Sequence, residues 1–278
     1  MNMIQAFGAP FNLDHSSCSD LTPKLFNWTK EDSPIKVFID RGILTGMNYV
    51  KKEGEKKIAW VCESRVVFHR SSIPRDIWEE NIATIADSFD VLYTSEKSFI
   101  GIHPKIKFAF AGSNLPWVRD CGIHTKSKMC SLIASPKRYA FGHGMRHYLA
   151  DKFKDKIDLY GGVLGSKRLG KGPYDGKEEA LKDYRFSLVI ENDKYETYYT
   201  EKLTDACASG TIPIYWGTPD IGNYFNTDGI ITLTPDFNVD TLTEELYNSK
   251  LDAVKDNFER VQNLLSADDM LYKQINEN

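Results

Sequence analysis

The chain reads as an α/β protein of two domains, each built on a parallel sheet. Three observations predict this. Short apolar runs rich in branched residues alternate with stretches of helical spacing, the pattern of strands joined by crossover helices. The composition shifts midway, through HTKSKM, before a new apolar run begins. The length, 278 residues, allows two modest domains that each bury a core. The boundary is expected at 127/128, giving domains 1–127 and 128–278.

The elements follow in order. Ile35 to Asp40 is a first strand and Ile58 to Cys62 a second, ending at Glu63. Asp76 to Asp87 is a helix, with Ile77, Ile82, Ile85 and Ala86 at helical spacing. VLYTS is a third strand, and KFAFAG leads into the loop SNLPWV. In the second half Cys130 to Ser135 is a strand, Met145 to Phe153 a helix and IDLYG another strand. A glycine- and lysine-rich loop, GGVLGSKRLGKGP, precedes the helix EEALKDY. FSLVI (186–190) suits a strand covered on both faces. Thr200 is the expected N-cap of a helix that stops at Gly210, and TIPIYW is the next strand. From Thr241 the tail is amphipathic, with Leu242, Leu246, Leu251, Val254, Phe258, Val261 and Leu265, and is expected to pack back over the body.

Hydrophobic residues make up 41% and charged residues 27% of the chain, ordinary for a globular protein. The net charge of -4 argues against a general nucleic-acid binder. Five cysteines, Cys18, Cys62, Cys121, Cys130 and Cys207, show no C-x-x-C spacing, so reduced thiols and a cytoplasmic location are expected. The N-terminus lacks a basic region followed by an apolar one, and no run is long enough to span a bilayer.

The chemistry concentrates in residues 186–226. Glu191 and Asn192 follow the FSLVI strand, where open α/β sheets meet their ligands. A helix beginning at Thr200 offers backbone N–H groups and a positive dipole end, which suit a phosphate or diphosphate. Lys202 adds a full charge. Glu201 would repel a diphosphate and is better suited to accept hydrogen bonds from sugar or ribose hydroxyls. The alternative is that Thr200 and Glu201 only cap and charge the helix, with Lys202 a solvated surface cation.

Phe186, Leu188, Glu191, Asn192, Tyr198, Thr200, Glu201, Lys202, Ala206, Ile212, Pro213, Ile214, Tyr215 and Gly217 occur in an order that resembles the donor-binding motif of the α-1,3-fucosyltransferase family, glycosyltransferase family 10. The pattern runs approximately F-x-L-x-x-E-N, Y-x-T-E-K, then I-P-I-Y-x-G. The resemblance implies a GT-B fold, two Rossmann-like α/β domains facing a cleft. It implies an inverting, metal-independent transfer of fucose from GDP-fucose to a glycan hydroxyl, in α-1,3 linkage to N-acetylglucosamine or a similar sugar. No cofactor is expected beyond the donor substrate, no metal ligand is assigned, and no nucleic-acid partner is implied. Glu201 and Lys202 would contact the donor, with Glu191, Asn192, Tyr198 and Thr200 around them. Glu201 or Glu191 could also stabilise the developing positive charge. Family members with a membrane anchor and stem differ from this chain, which resembles a soluble bacterial or viral type.

Other candidates come from the same resemblance and from local spacing and composition. Arg146 matches the arginine that opens a helix and contacts the diphosphate, with Lys137 as rival; an arginine clamps phosphate in bidentate fashion. The alternative is an exposed helical arginine. Glu63 is the candidate general base, although Cys62-Glu63-Ser64 departs from the family's G-E-N-like step. Glu96 is its rival, and a solvated strand-end glutamate is the alternative. Asn114, Pro116 and Trp117 occupy a loop that faces the cleft in the family; Trp117 could stack on a sugar or pack in the core. His143 and His147 have the spacing of a zinc pair but lack the glutamate of H-E-x-x-H, so capping or phosphate contacts suit them better. The glycine- and lysine-rich loop would fold over the diphosphate. A transferase for another nucleotide sugar and a non-catalytic glycan- or nucleotide-binding relative are the competing readings.

Overall fold

A computed structural model describes residues 2–17, 20–169 and 176–277. They form two compact units. The first comprises Met1–Asn114, Glu196–Tyr198 and Leu265–Asn278; the second comprises Leu115–Tyr195 and Tyr199–Leu264. The division therefore falls at Asn114, ahead of the composition shift at 127/128. The shift marks where β structure resumes, whereas the chain changes unit within the preceding loop.

The first unit holds six strands: β1 (Asn2–Phe7), β2 (Phe26–Thr29), β3 (Ile35–Ile39), β4 (Lys56–Trp60), β5 (Val91–Thr94) and β6 (Ile106–Phe108). All pair in parallel, in the order β2-β1-β3-β4-β5-β6. β1 is an inner strand that no apolar run announces, because Ile4 is its one fully buried side chain. Helix α1 (Gly42–Asn48) follows β3. A Cβ on Gly42 would lie 2.1 Å from the Phe7 carbonyl oxygen, so glycine lets the helix start touch the end of β1. Helices α2 (Arg65–Ser71) and α3 (Arg75–Asp87) cover the sheet. On α3 the buried stripe is Trp78, Ile82, Ile85 and Ala86. Ile77, expected on that stripe, is half exposed; Trp78 has the i, i+4, i+7, i+8 phase instead.

The second unit holds β7 (Lys128–Ile133), β8 (Asp158–Tyr160), β9 (Tyr184–Ile190), β10 (Ile212–Trp216) and β11 (Ile231–Thr232). These are also all parallel, in the order β11-β10-β9-β7-β8. Every residue of central β9 is buried, Arg185 and Ser187 included, which explains why apolar residues dominate it. Helix α4 (Phe141–Phe153) begins four residues before the expected Met145, because His143 Nδ1 accepts the Ala140 N–H at 3.1 Å and secures the first turn. Helices α5 (Lys177–Leu181) and α6 (Glu201–Ala208) flank β9 in sequence. Among the described residues the tail carries the helices α7 (Glu244–Ser249), α8 (Leu251–Gln262) and α9 (Ala267–Glu277).

The last of these is tied into the first unit by carboxylates. Asp268 accepts the Trp28 indole N–H at 2.7 Å and the Ser17 N–H at 2.9 Å. Asp269 accepts the N–H groups of Lys24 and Leu25 at 3.0 and 2.9 Å. Asn114, fully buried, donates to the Leu265 carbonyl at 2.9 Å and accepts the Ala267 N–H at 2.8 Å. These hydrogen bonds give Asn114 a structural position at the start of the C-terminal segment. Among the described residues Cys62, Cys121, Cys130 and Cys207 are free thiols, and no helix is long and apolar enough to cross a membrane.

Replacing Asn114 with Ala leaves the Ala267 N–H and the Leu265 carbonyl without their partner. Leaving buried polar groups unsatisfied costs about 1–3 kcal/mol each, so the first unit should unfold at distinctly lower urea concentration. An unchanged midpoint by tryptophan fluorescence would show that Asn114 does not hold the C-terminal segment.

Candidate functional site

The site is built where β9 ends. Glu191, the next residue, is fully buried and points its carboxylate at the start of α6. Its Oε1 accepts the Thr200 N–H at 2.9 Å and its Oε2 the Thr200 hydroxyl at 2.7 Å. Thr200 is the N-cap: its Oγ1 accepts the Lys202 N–H at 3.4 Å and the Lys202 ammonium at 3.0 Å. Lys202 Nζ also lies 3.1 Å from Glu201 Oε1 and 3.7 Å from Glu191 Oε2. Lys202 is thus a partly buried cation inside a carboxylate frame, which displaces the reading of it as a solvated surface charge.

Helix α6 is buried almost all round and carries two acids inward, Glu201 and Asp205. A buried carboxylate needs a partner. Lys177, at the start of α5, supplies it, with Nζ 2.6 Å from Asp205 Oδ2 and 3.6 Å from Glu201 Oε1. Asp205 Oδ1 accepts the backbone N–H groups of Trp117 and Val118 at 2.5 and 2.9 Å. The Lys177 ammonium sits 4.3 Å above the Trp117 ring. Trp117 is therefore packed against a cation from the second unit's interior. The result is an alternating series, Glu191, Lys202, Glu201, Lys177, Asp205. Burial pushes Glu201 up, but Lys202 and Lys177 together outweigh it and hold the carboxyl at about 2. Burial also raises Glu191 and Asp205, against the pull of Lys202 and Lys177 respectively. Lys177 is held above the usual lysine range: burial opposes its charge, and Asp205 and Glu201 overcome that. Lys177 and Asp205 are the residues that reading the sequence missed. The one local signal was an acid four residues after Glu201, one helical turn on along the same helix.

Asn192 does for α4 what Glu191 does for α6. The Gly142 N–H donates to the Asn192 carbonyl at 3.1 Å. A Cβ on Gly142 would lie 1.7 Å from the Glu191 carbonyl oxygen, so the first turn of α4 can dock here with glycine alone. One turn on, Arg146 donates from Nε to the Ile190 carbonyl at 3.1 Å and from Nη2 to Asn192 Oδ1 at 2.6 Å. Arg146 is buried, so its guanidinium is held in plane at the strand end rather than left exposed on a helix.

His143 reports how many cations converge on this point. Burial first, then the charges of Arg146, Lys137 and Lys202, push its imidazolium down to about 4. Its Nδ1 is an acceptor for the Ala140 N–H, which leaves the proton of the neutral ring on Nε2. His147 Nε2 meets the Ser135 carbonyl at 3.1 Å. Both histidines are engaged by backbone, and among the described residues no cluster of His, Cys, Asp and Glu could hold a metal ion. Lys137 is exposed on the loop after β7. Residues 170–175 of the glycine- and lysine-rich loop lie outside the described residues.

The remaining candidates belong to the first unit. Glu63 follows β4 and is half-buried, two residues before the start of α2, and its N–H meets Asp40 Oδ1 at 3.3 Å. Glu96, its rival, is buried with Oε1 3.2 Å from Arg75 and 3.5 Å from Arg65. Two guanidinium groups on one carboxylate make a structural ion cluster. Tyr198 is buried and groups with the first unit.

Two outcomes follow from this geometry. In the folded chain Glu201 is held at about 2, below the ordinary value of 4.5, so it contributes stability above pH 4.5 that is lost as pH falls towards 2. Lys177→Met should remove part of that, move acid unfolding to higher pH, and cost about 3–5 kcal/mol at neutral pH by leaving buried acids uncompensated. An acid-unfolding midpoint identical to wild type would overturn the pairing. Pyrophosphate binding among Arg146, Lys137 and Lys202 should raise His143 from about 4 towards its ordinary 6.5, because the added negative charge screens those cations. An imidazole NMR titration that stays near 4 with pyrophosphate bound would place the anion elsewhere.

Residues 123–261, half of the chain, match the family model described as glycosyltransferase family 10 (fucosyltransferase) C-term. An α-(1,3)-fucosyltransferase of Helicobacter pylori is 44% identical over 57 residues, 20% of this chain and 12% of that protein. A GDP-fucose protein O-fucosyltransferase 3 of Bos taurus is 30% identical over 89 residues, 30% of this chain and 19% of that protein. The matches thus span well under a third of these curated relatives' lengths. A crystal structure of an α1,3-fucosyltransferase with GDP superposes with a TM-score of 0.54 at 16% identity, covering 100% of this chain and 91% of that one, a likeness of fold. The two parallel α/β units make the fold GT-B-like. By the family model and the site that its match encloses, the chain belongs to glycosyltransferase family 10, the fucosyltransferases.

Proposed function

We propose that this chain transfers fucose from GDP-fucose to a hydroxyl of a glycan acceptor, with inversion and in α-1,3 linkage to N-acetylglucosamine or a similar sugar. The observation that carries the donor reading is the convergence of Arg146, Lys137 and Lys202 around His143, next to the capped start of α6. A diphosphate leaving group develops negative charge as its bond to the anomeric carbon breaks. Preorganised cations and helix N–H groups stabilise that charge without reorganising at the moment of reaction. Arg146 and Lys202 hold the phosphates, with Lys137 reaching in from its loop. Glu201, already matched by two lysines, accepts hydrogen bonds from sugar or ribose hydroxyls and lends negative charge to the oxocarbenium-like transition state. Glu191 and Asn192 act by fixing Thr200 and Arg146. Tyr198 joins the donor set by the motif.

Glu63 is the general base of this reaction. The acceptor oxygen forms its bond to the anomeric carbon on the face opposite the diphosphate. Its proton passes to the Glu63 carboxylate, and GDP departs with the electrons of the broken C–O bond. Acceptor and linkage rest on the family alone: the relatives named above include one named as an α-(1,3)-fucosyltransferase and one named for protein O-fucosylation.

Calorimetric titration with GDP-fucose, and with UDP-glucose as the comparison, tests the donor. Selective binding of the guanosine donor is expected. Lys202→Ala should weaken it about tenfold or more, since hydrogen bonds to charged groups contribute about 1.5–3 kcal/mol. Preference for UDP-glucose would overturn the donor assignment, and an unchanged affinity in Lys202→Ala would remove Lys202 from the phosphate site.

A further inference from the structure

Asp40 stands directly after β3, beside the residues that follow β4. Its backbone has φ 45°, the left-handed region, where non-glycine residues are uncommon and aspartate and asparagine are among the best tolerated. Its N–H donates to the Trp60 carbonyl at 3.1 Å, locking the two strand ends together. The side chain is 3% exposed. Oδ1 accepts the N–H groups of Cys62 at 3.0 Å and Glu63 at 3.3 Å. Oδ2 is buried and has no hydrogen-bond partner among the described residues.

This arrangement is expensive for a bracket. An acceptor for two backbone N–H groups needs one oxygen, and an amide would supply it without an ionisable atom sealed from solvent. A left-handed residue and an unsatisfied buried oxygen are each destabilising, and such features cluster where a protein does chemistry. The step that Asp40 holds is the one that carries Glu63.

We propose that Asp40 is the positioning residue for Glu63: Oδ1 fixes the Cys62-Glu63 backbone, and the sealed Oδ2 makes Asp40 a second, coupled carboxyl whose charge governs proton uptake at Glu63. The inference rests on Glu63 being the base. Burial, and then the like charge of Glu63, raise Asp40 to about 7; the N–H groups of Glu63 and Cys62 and the charge of Arg41 oppose this without cancelling it. Asp40 is accordingly neutral below about pH 7 and ionised above it. Once ionised, its negative charge disfavours a second charge at Glu63 and favours proton uptake there. Turnover should therefore keep rising through neutral pH, as Asp40 ionises.

The test uses the full chain with GDP-fucose and N-acetyllactosamine, and the variants Asp40→Asn and Glu63→Gln. Asparagine keeps the acceptor oxygen and tolerates left-handed backbone. In Asp40→Asn, kcat at pH 8 should fall about tenfold, less than the loss of a whole general base, and the rise near pH 7 should vanish. The donor KM and the melting temperature should stay close to wild type. A purely structural Asp40 would leave the pH profile unchanged, which overturns the proposal. Glu63→Gln with full turnover would sink the base reading and this inference with it. An inactive Glu63→Gln beside a wild-type profile for Asp40→Asn would sink the inference alone. A carboxyl ¹³C titration of the wild-type protein decides the matter independently of folding or acceptor choice. It should show Asp40 with a midpoint near 7 that drops in Glu63→Gln. A midpoint in the ordinary carboxylate range, or one indifferent to Glu63→Gln, would overturn the coupling.

Discussion

The second unit depends on what Glu191 and Asn192 do at the end of β9. A parallel strand that is buried along its whole length must end in residues that redirect the chain and satisfy the helices around it. Here each residue takes one helix. Glu191 gives both carboxylate oxygens to Thr200 and so sets the start of α6. Asn192 receives the Gly142 N–H through its carbonyl and Arg146 through its side chain, and so sets the start of α4. Two helix N-termini and two cations are placed by a dipeptide. Glu191 is fully buried and holds the groups around it in place.

Charge burial explains the rest of the architecture around α6. A helix with acids turned inward would be destabilised without opposite charges, since an unpaired buried carboxylate pays a large desolvation penalty. Lys202 and Lys177 alternate with Glu191, Glu201 and Asp205 and bring each acid next to a cation. The arrangement leaves Lys202 held at a defined point rather than free on a long stem. A lysine with restricted motion loses less entropy on binding an anion, which suits the proposed role of Lys202.

Most of the framework was legible in the sequence. FSLVI, TIPIYW and the Thr200 cap stand where the apolar runs and capping chemistry put them, because a doubly covered parallel strand needs a continuous apolar run and a helix start needs a side-chain acceptor. β1 escaped notice because a single buried side chain leaves no pattern to read. Ile77 and Trp78 exchanged places because helical phase in a short apolar stretch is set by the sheet beneath it. Lys177 escaped because its partners lie 24 and 28 residues on, at Glu201 and Asp205, a pairing that local spacing does not reveal.

What the sequence determined by itself was the class of fold, the order of most elements and the motif residues from Glu191 to Gly217. These follow from local rules: apolar periodicity, capping and turn chemistry act over a few residues. What the tertiary structure alone decided was function at the level of single groups. It made Glu191 a buried clamp, turned Glu96 into the partner of two arginines, tied Asn114 to the C-terminal segment and sealed Asp40 beside the Glu63 backbone. Burial and partner distance set the charge and role of an ionisable side chain, and both arise only when distant parts of the chain are brought together.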